Sequence, residues 1–176
     1  LRKNDDEQFR KCVRAYLACI TFVDHQVGRV LDALDQGPHA DDTTVILFSD
    51  HGYHIGEKDR VSKHSLWEES TRVPLVVVPA KSQAADFGKK GTTCSKPVGL
   101  IDLYPTLMEM CGISSSQQLD GSSLVSLLRK PEQRTDRHAV TFFGQGNVSV
   151  KTQQWRYIQY AQGEEELYDQ MTDPRE

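Results

Sequence analysis

The hydrophobic positions change their period several times along the chain, and each change predicts an element. From Phe9 to Leu34 apolar residues recur at helical spacing, through Val13, Tyr16, Leu17, Ile20, Val23, Val27, Val30 and Leu31. That spacing lines one face of a long amphipathic helix. Asn4 or Asp5 is placed to cap its start, and Gly37-Pro38 to stop it. The period then vanishes. "TVILF", Thr44 to Phe48, is a nearly continuous apolar run, which predicts a parallel strand covered on both faces. "VPLVVV", Val73 to Val78, predicts a second such strand, with Pro74 at its start where a missing N–H is tolerated.

Between these strands lies a long segment rich in Gly, Lys, His and Asp, "SDHGYHIGEKDRVSKHSLWEESTR". A loop of that length inside a compact domain is usually functional or disordered. "AKSQAADFGKKGTTCSKP" is a further polar connection. "LIDLYPTLMEMCG" predicts a helix capped by Asp102, with Pro105 in its first turn and Gly112 just past its end. A Ser-rich linker at Ser114 to Ser116 and a short helix around Ser122 to Arg129 follow. The remainder alternates in short segments separated by glycines and predicts an antiparallel meander. The expected architecture is an α/β part over residues 1–113 and a small α+β antiparallel subdomain over 114–176.

Composition narrows the class of protein. With 176 residues, 38% hydrophobic and 26% charged, the chain is of globular type. No apolar run approaches the roughly 20 residues of a transmembrane helix. The formal net charge of −4 and the scattered basic residues argue against nucleic acid as a partner. Cys12, Cys19, Cys94 and Cys111 form no C-x-x-C pair and no zinc-ribbon spacing. The chain opens with Leu, without an initiator Met, so Leu1 is not expected to be the natural N-terminus.

The chemistry concentrates where the first strand ends. In open α/β sheets ligands bind beyond the carboxyl ends of strands. Asp50 and His51 stand there, and Gly52 is expected to let the backbone turn sharply. A carboxylate beside an imidazole suits a divalent cation. Lys58, Lys63, His54 and His64 add cation-capable groups, and a lysine is a point charge matched to a tetrahedral oxyanion. From the residues alone the cluster reads as a metal site, a phosphate or sulfate site, or a polar loop.

"TVILFSDHGYHIGEKDRVSKHSLWEESTRVPLVVV" resembles the sulfatase family, in the form of its iduronate-2-sulfatase-like and choline-sulfatase-like members. "VGLIDLYPTLMEMCGI", "LDGSSLVSLLRKP" and "WRYIQYAQGEEELYDQMTDPRE" resemble later segments of the same family, in the family's order. The resemblance implies the alkaline-phosphatase-like α/β fold, present here in part, and hydrolysis of a sulfate ester, small-molecule or glycan. It implies Asp50 and His51 as metal ligands, with Ca2+ or another divalent cation. It implies Lys63 as the catalytic, sulfate-contacting lysine, and His54 and His64 at the substrate rim. Arg72 and Glu69 look structural by the same comparison. The family's formylglycine nucleophile arises in a C-x-P-S-R type motif, and no cysteine here has that context. The motif is expected to lie before Leu1, so that the isolated chain is inactive, and sulfatases act in a periplasm, a lysosome or outside the cell. The rival readings are a zinc phosphodiesterase or phosphonate hydrolase on the same fold, and a non-catalytic fragment. A fragment would leave both strands with exposed edges and uncovered faces, and poor solubility would follow.

Overall fold

The computed structural model describes residues 6–176. The long helix is present as α1, Asp6–Asp35. Its expected caps, Asn4 and Asp5, lie outside the described residues. The helix is amphipathic but none of its residues is buried, and Leu17, Ile20, Phe22, Val23 and Val30 are more than half exposed. It touches the central loop near its own first half, where Tyr16 stacks on Tyr53 with ring centroids 5.7 Å apart.

The two apolar runs form strands β1, Val45–Phe48, and β2, Leu75–Val78. They pair directly with each other in antiparallel register, Val45 opposite Val78 and Phe48 opposite Leu75. This corrects the expectation of parallel strands covered on both faces. An unbroken apolar run reports hydrophobic surroundings, not strand direction, and a mixed sheet accommodates one antiparallel member. Leu47, Phe48, Val76 and Val78 are each about half exposed, so this ribbon has uncovered apolar faces. The loop between the strands carries a single 3-10 turn, Glu57–Asp59, and the short helix α2, Glu68–Thr71.

A 3-10 segment, Lys81–Asp86, follows β2, and another, Leu100–Asp102, leads into α3, Leu103–Met110. Gly112 ends α3 in the left-handed region at φ +65°. Ile113 N–H reaches back to Met108 C=O and Gly112 N–H to Glu109 C=O, the paired bonds of a Schellman stop. Asp102 does sit at the N-cap position, yet its carboxylate makes no bond into the helix. It instead accepts from Gly99 N–H at 3.0 Å, Ser122 N–H at 2.8 Å and Arg137 Nη2 at 2.7 Å. A capping residue has thus become a tie between α3 and the chain beyond the Ser-rich linker. The short helix α4, Val125–Arg129, packs here, and Leu103, Met110, Leu124, Val125 and Leu127 are the buried apolar side chains of this region.

The closing meander is as expected. Strands β3 (Ala139–Phe142), β4 (Val148–Lys151), β5 (Trp155–Gln159) and β6 (Glu165–Asp169) form one antiparallel sheet in sequence order. On β5 the inward positions are Arg156 and Ile158. A buried isoleucine is ordinary; a buried arginine demands an anionic partner.

Candidate active site

The loop from Ser49 to Arg72 folds back so that its two ends meet. Gly52 N–H donates to Ser70 C=O at 2.8 Å, fastening the end of β1 to α2. A Cβ at residue 52 would stand 1.9 Å from the Glu69 carbonyl oxygen, so only glycine fits. The need for glycine is therefore a close backbone approach, and Gly52 is not among the positive-φ glycines that a sharp turn would use.

This fold-back brings Asp50, His51 and Lys63 together. His51 Nδ1 lies 2.7 Å from the Gly52 carbonyl oxygen, which can only accept, so Nδ1 carries the proton. The lone pair is then on Nε2, and Lys63 Nζ donates to it at 2.9 Å. An Asp50 carboxylate oxygen lies 3.8 Å from the same Nε2, and the Asp50 side chain is 83% exposed. All of these groups line one broad groove with an accessible volume of about 2160 Å³, shared with β2 and the start of the meander.

The remaining candidates divide. His64 is exposed at the groove beside Lys63, its ring stacked on Phe143 at 5.8 Å. His54 is not at any rim: it is 0% exposed, which corrects the expectation that it meets substrate. Its Nε2 lies 2.7 Å from Ser65 Oγ and its ring meets Trp67 edge-on. Lys58 also leaves the cluster. Its ammonium lies 5.2 Å from the Trp67 ring centre and 4.9 Å from that of Tyr168, a cation–π seat on the C-terminal sheet. Glu166 collects Trp67 Nε1–H at 2.7 Å and the hydroxyls of Tyr168 at 2.8 Å and Tyr160 at 3.2 Å. Burial, with Glu166 adding to it, pushes the Tyr160 phenol up to about 12.

Four residues that the sequence reading did not single out hold the loop in place: Ser65, Ser70, Glu68 and Arg156. Arg156, 3% exposed, donates to Leu66 C=O at 3.2 Å, to Ser149 Oγ at 2.9 Å and to the Glu68 carboxylate. Its Nε lies against Glu176 as an ion pair without hydrogen-bond alignment. Lys151 adds a bond to Glu68 at 2.9 Å, and Glu176 accepts from Glu68 N–H at 2.8 Å. Burial alone would raise the Glu68 carboxyl, but hydrogen bonds from Lys151 and Arg156 hold it below the usual range. Burial wins at Glu176, whose carboxyl is raised despite Arg156. The sequence signal was an arginine at an inward strand position, together with the paired acids of "WEES".

Burial pushes the His54 imidazole below its ordinary value of 6.5; Glu69 and Glu57 oppose this and Arg60 adds to it. Below about pH 6.5 the unfolded chain binds a proton here that the folded chain refuses. The stability contributed by neutral His54 is thus fully present above that pH and is lost as pH falls towards the folded value. His54→Gln, which keeps an Nε2–H donor, should flatten this part of the unfolding curve between about pH 6.5 and 5. Equal pH slopes in wild type and variant, measured by urea titration, would rule the effect out.

In donor chemistry the Asp50–His51 pair fits a share of a cation site: one exposed carboxylate and one imidazole lone pair, the latter accepting from Lys63 in this arrangement. Among the described residues no group of three or more His, Cys, Asp or Glu side chains is placed to hold a metal. No helix of the described residues is long and apolar enough to cross a membrane.

Comparisons with known proteins agree with this architecture. The family model described as Sulfatase matches residues 2–113. A sulfatase of Formosa agariphila is 43% identical over 169 residues, covering 96% of this chain and 32% of that protein. A choline-sulfatase of Rhizobium meliloti is 32% identical over 178 residues, covering 97% of this chain and 33% of the relative. Among solved structures, one determined with its substrate D-glucosamine-2-N,6-O-disulfate superposes with a TM-score of 0.82 at 26% identity, over 95% of this chain and 35% of the other. The phosphonate monoester hydrolase of Agrobacterium radiobacter gives 0.73 at 26% identity, over 89% of this chain and 34% of the other. The chain thus spans about a third of the length of the relatives it matches. With its fold corresponding to part of the alkaline-phosphatase-like fold of those enzymes, the chain belongs to the sulfatase family.

Proposed function

We propose that the intact gene product hydrolyses sulfate esters, with sulfated carbohydrate as the substrate class, and that this chain supplies the sulfate-gripping side of the site. The observation that carries the reading is the contact between Lys63 Nζ and His51 Nε2 at 2.9 Å, beside the exposed Asp50 carboxylate. Lys63 presents a fixed positive charge at the groove, where it can neutralise charge on sulfate oxygens as the ester bond breaks. Asp50 and His51 would hold a divalent cation, Ca2+ by the family expectation, and such an ion polarises a sulfate oxygen as a Lewis acid. His64, stacked on Phe143, borders the groove where the alcohol portion of the substrate would lie. The disulfated glucosamine bound to the similar structure supports a sugar as that alcohol.

The same proposal divides the chain at Ile113, with 1–113 as part of the catalytic domain and 114–176 as a C-terminal subdomain. The Schellman stop at Gly112 and the four-stranded sheet built wholly from residues after it support that division. A periplasmic, secreted or lysosomal setting goes with the family reading.

The likeness to a phosphonate monoester hydrolase sets the competing outcome. The intact gene product, offered 6-O-sulfated glucosamine and a phenyl phosphonate ester in parallel, should release sulfate and leave the phosphonate largely uncut. Chelation should abolish sulfate release and added Ca2+ should restore it. Turnover of the phosphonate alone would overturn the sulfatase reading, and restoration by Zn2+ but not Ca2+ would overturn the assignment of the ion.

A further inference from the structure

The hydrogen bonds beneath Lys63 run in one direction. Ser70 Oγ faces the Lys63 carbonyl oxygen, which can only accept, so the Ser70 hydroxyl proton is committed there. Ser70 Oγ must then accept from Ser65 Oγ, 2.8 Å away. The Ser65 proton is now committed as well, so Ser65 Oγ accepts from His54 Nε2 at 2.7 Å. These bonds make His54 the Nε2–H tautomer, and its buried Nδ1 makes no aligned hydrogen bond. The His54 backbone is fixed separately, its N–H donating to Ser62 C=O at 2.8 Å.

Ser70 is the junction of this arrangement. Its hydroxyl holds the Lys63 carbonyl, which also accepts Ser65 N–H at 2.7 Å. Its own carbonyl accepts Gly52 N–H, immediately after His51. The two backbones that must be in register for Lys63 to meet His51 are thus both bound to one buried serine. His54 is 0% exposed and does not line the groove, and Ser70, 6% exposed, borders it with its hydroxyl turned to the Lys63 carbonyl.

We propose that His54, Ser65 and Ser70 form a relay of positioning residues that holds the backbone of Lys63 beside that of His51, with His54 held as the Nε2–H tautomer to orient both hydroxyls. The proposal rests on the reading of Lys63 as the sulfate-contacting group. It accounts for a fully buried histidine in a loop whose other histidines face the groove, and it gives the seryl residues of "KHSLWEES" a role in the site.

The test is Ser65→Ala in the intact gene product, which cuts the relay at its middle and removes only one oxygen. The turnover number for a sulfated glucosamine should fall on the order of tenfold, with little change in KM, because a displaced catalytic group loses orientation more than binding. Ser65→Thr, which restores the hydroxyl, should recover most of the loss. In samples labelled with 15N at histidine, His54 should show the pure Nε2–H pattern in wild type and a mixture in Ser65→Ala. The His51 resonance should shift in Ser65→Ala as the Lys63 contact loosens. A Ser65→Ala protein with wild-type turnover, or with His54 unchanged as the Nε2–H tautomer, overturns the relay. Lys63→Met separates the two levels: if it keeps full sulfate release, the Lys63 reading fails, while the His54 tautomer still judges the hydrogen-bond relay. If Lys63→Met is inactive and Ser65→Ala is not, the relay alone falls.

Discussion

Arg156→Leu is expected to destabilise the protein by about 3–5 kcal/mol, a large share of the roughly 5–15 kcal/mol that holds a typical fold together. The reason is what the substitution leaves behind. Glu68 and Glu176 are both about 9% exposed, and Arg156 is the cation that lies between their carboxylates. Without it Glu68 keeps Lys151 and Arg72, but among the described residues Glu176 keeps only hydrogen bonds from Glu68 N–H and Gln170. Two buried acids facing one another must then take up protons or pull in water. Thermal and urea unfolding of the intact gene product measure the loss directly. Arg156→Leu combined with Glu176→Gln should be more stable than Arg156→Leu alone, because the stranded charge is gone. A loss below about 1 kcal/mol would mean that the cluster behaves like an exposed ion pair.

That cluster marks where the sequence stopped being legible. The long helix, the two apolar strands, the Gly112 stop and the meander follow from local periodicity and turn chemistry, and such signals are carried by neighbours in the chain. The grouping of Asp50, His51 and Lys63 came from family resemblance together with a strand ending in Asp-His-Gly, and the fold-back at Gly52 realises it. What local pattern does not encode is partnership over distance. Arg156 lies 88 residues from Glu68, and no periodicity connects them. Strand direction is lost for the same reason: the run Val45–Phe48 looks alike whether its neighbour runs with it or against it. His54 and Lys58 were misplaced because an amphipathic ring and a long cationic side chain read as polar wherever they stand. In the fold, one is a buried donor and the other is drawn to Trp67 and Tyr168.

Lys63→Met should lower turnover of a sulfate ester by about a hundred- to a thousandfold, the usual cost of removing one group that stabilises charge developing in the transition state. Methionine keeps most of the length of the side chain and removes only the ammonium. Lys63→Arg should rescue poorly, since a planar guanidinium presents a fork where His51 Nε2 now meets a single point donor. The informative companion measurement is cation affinity. In the present arrangement the ammonium occupies the His51 lone pair that a cation at Asp50 and His51 would use, and its positive charge opposes that ion. Removing it should leave divalent-cation binding as strong as in the wild type or stronger, even as turnover collapses. A variant that loses both together would place Lys63 among the supports of the cation site. A variant that loses neither would leave it a surface lysine whose contact with His51 has no part in the chemistry.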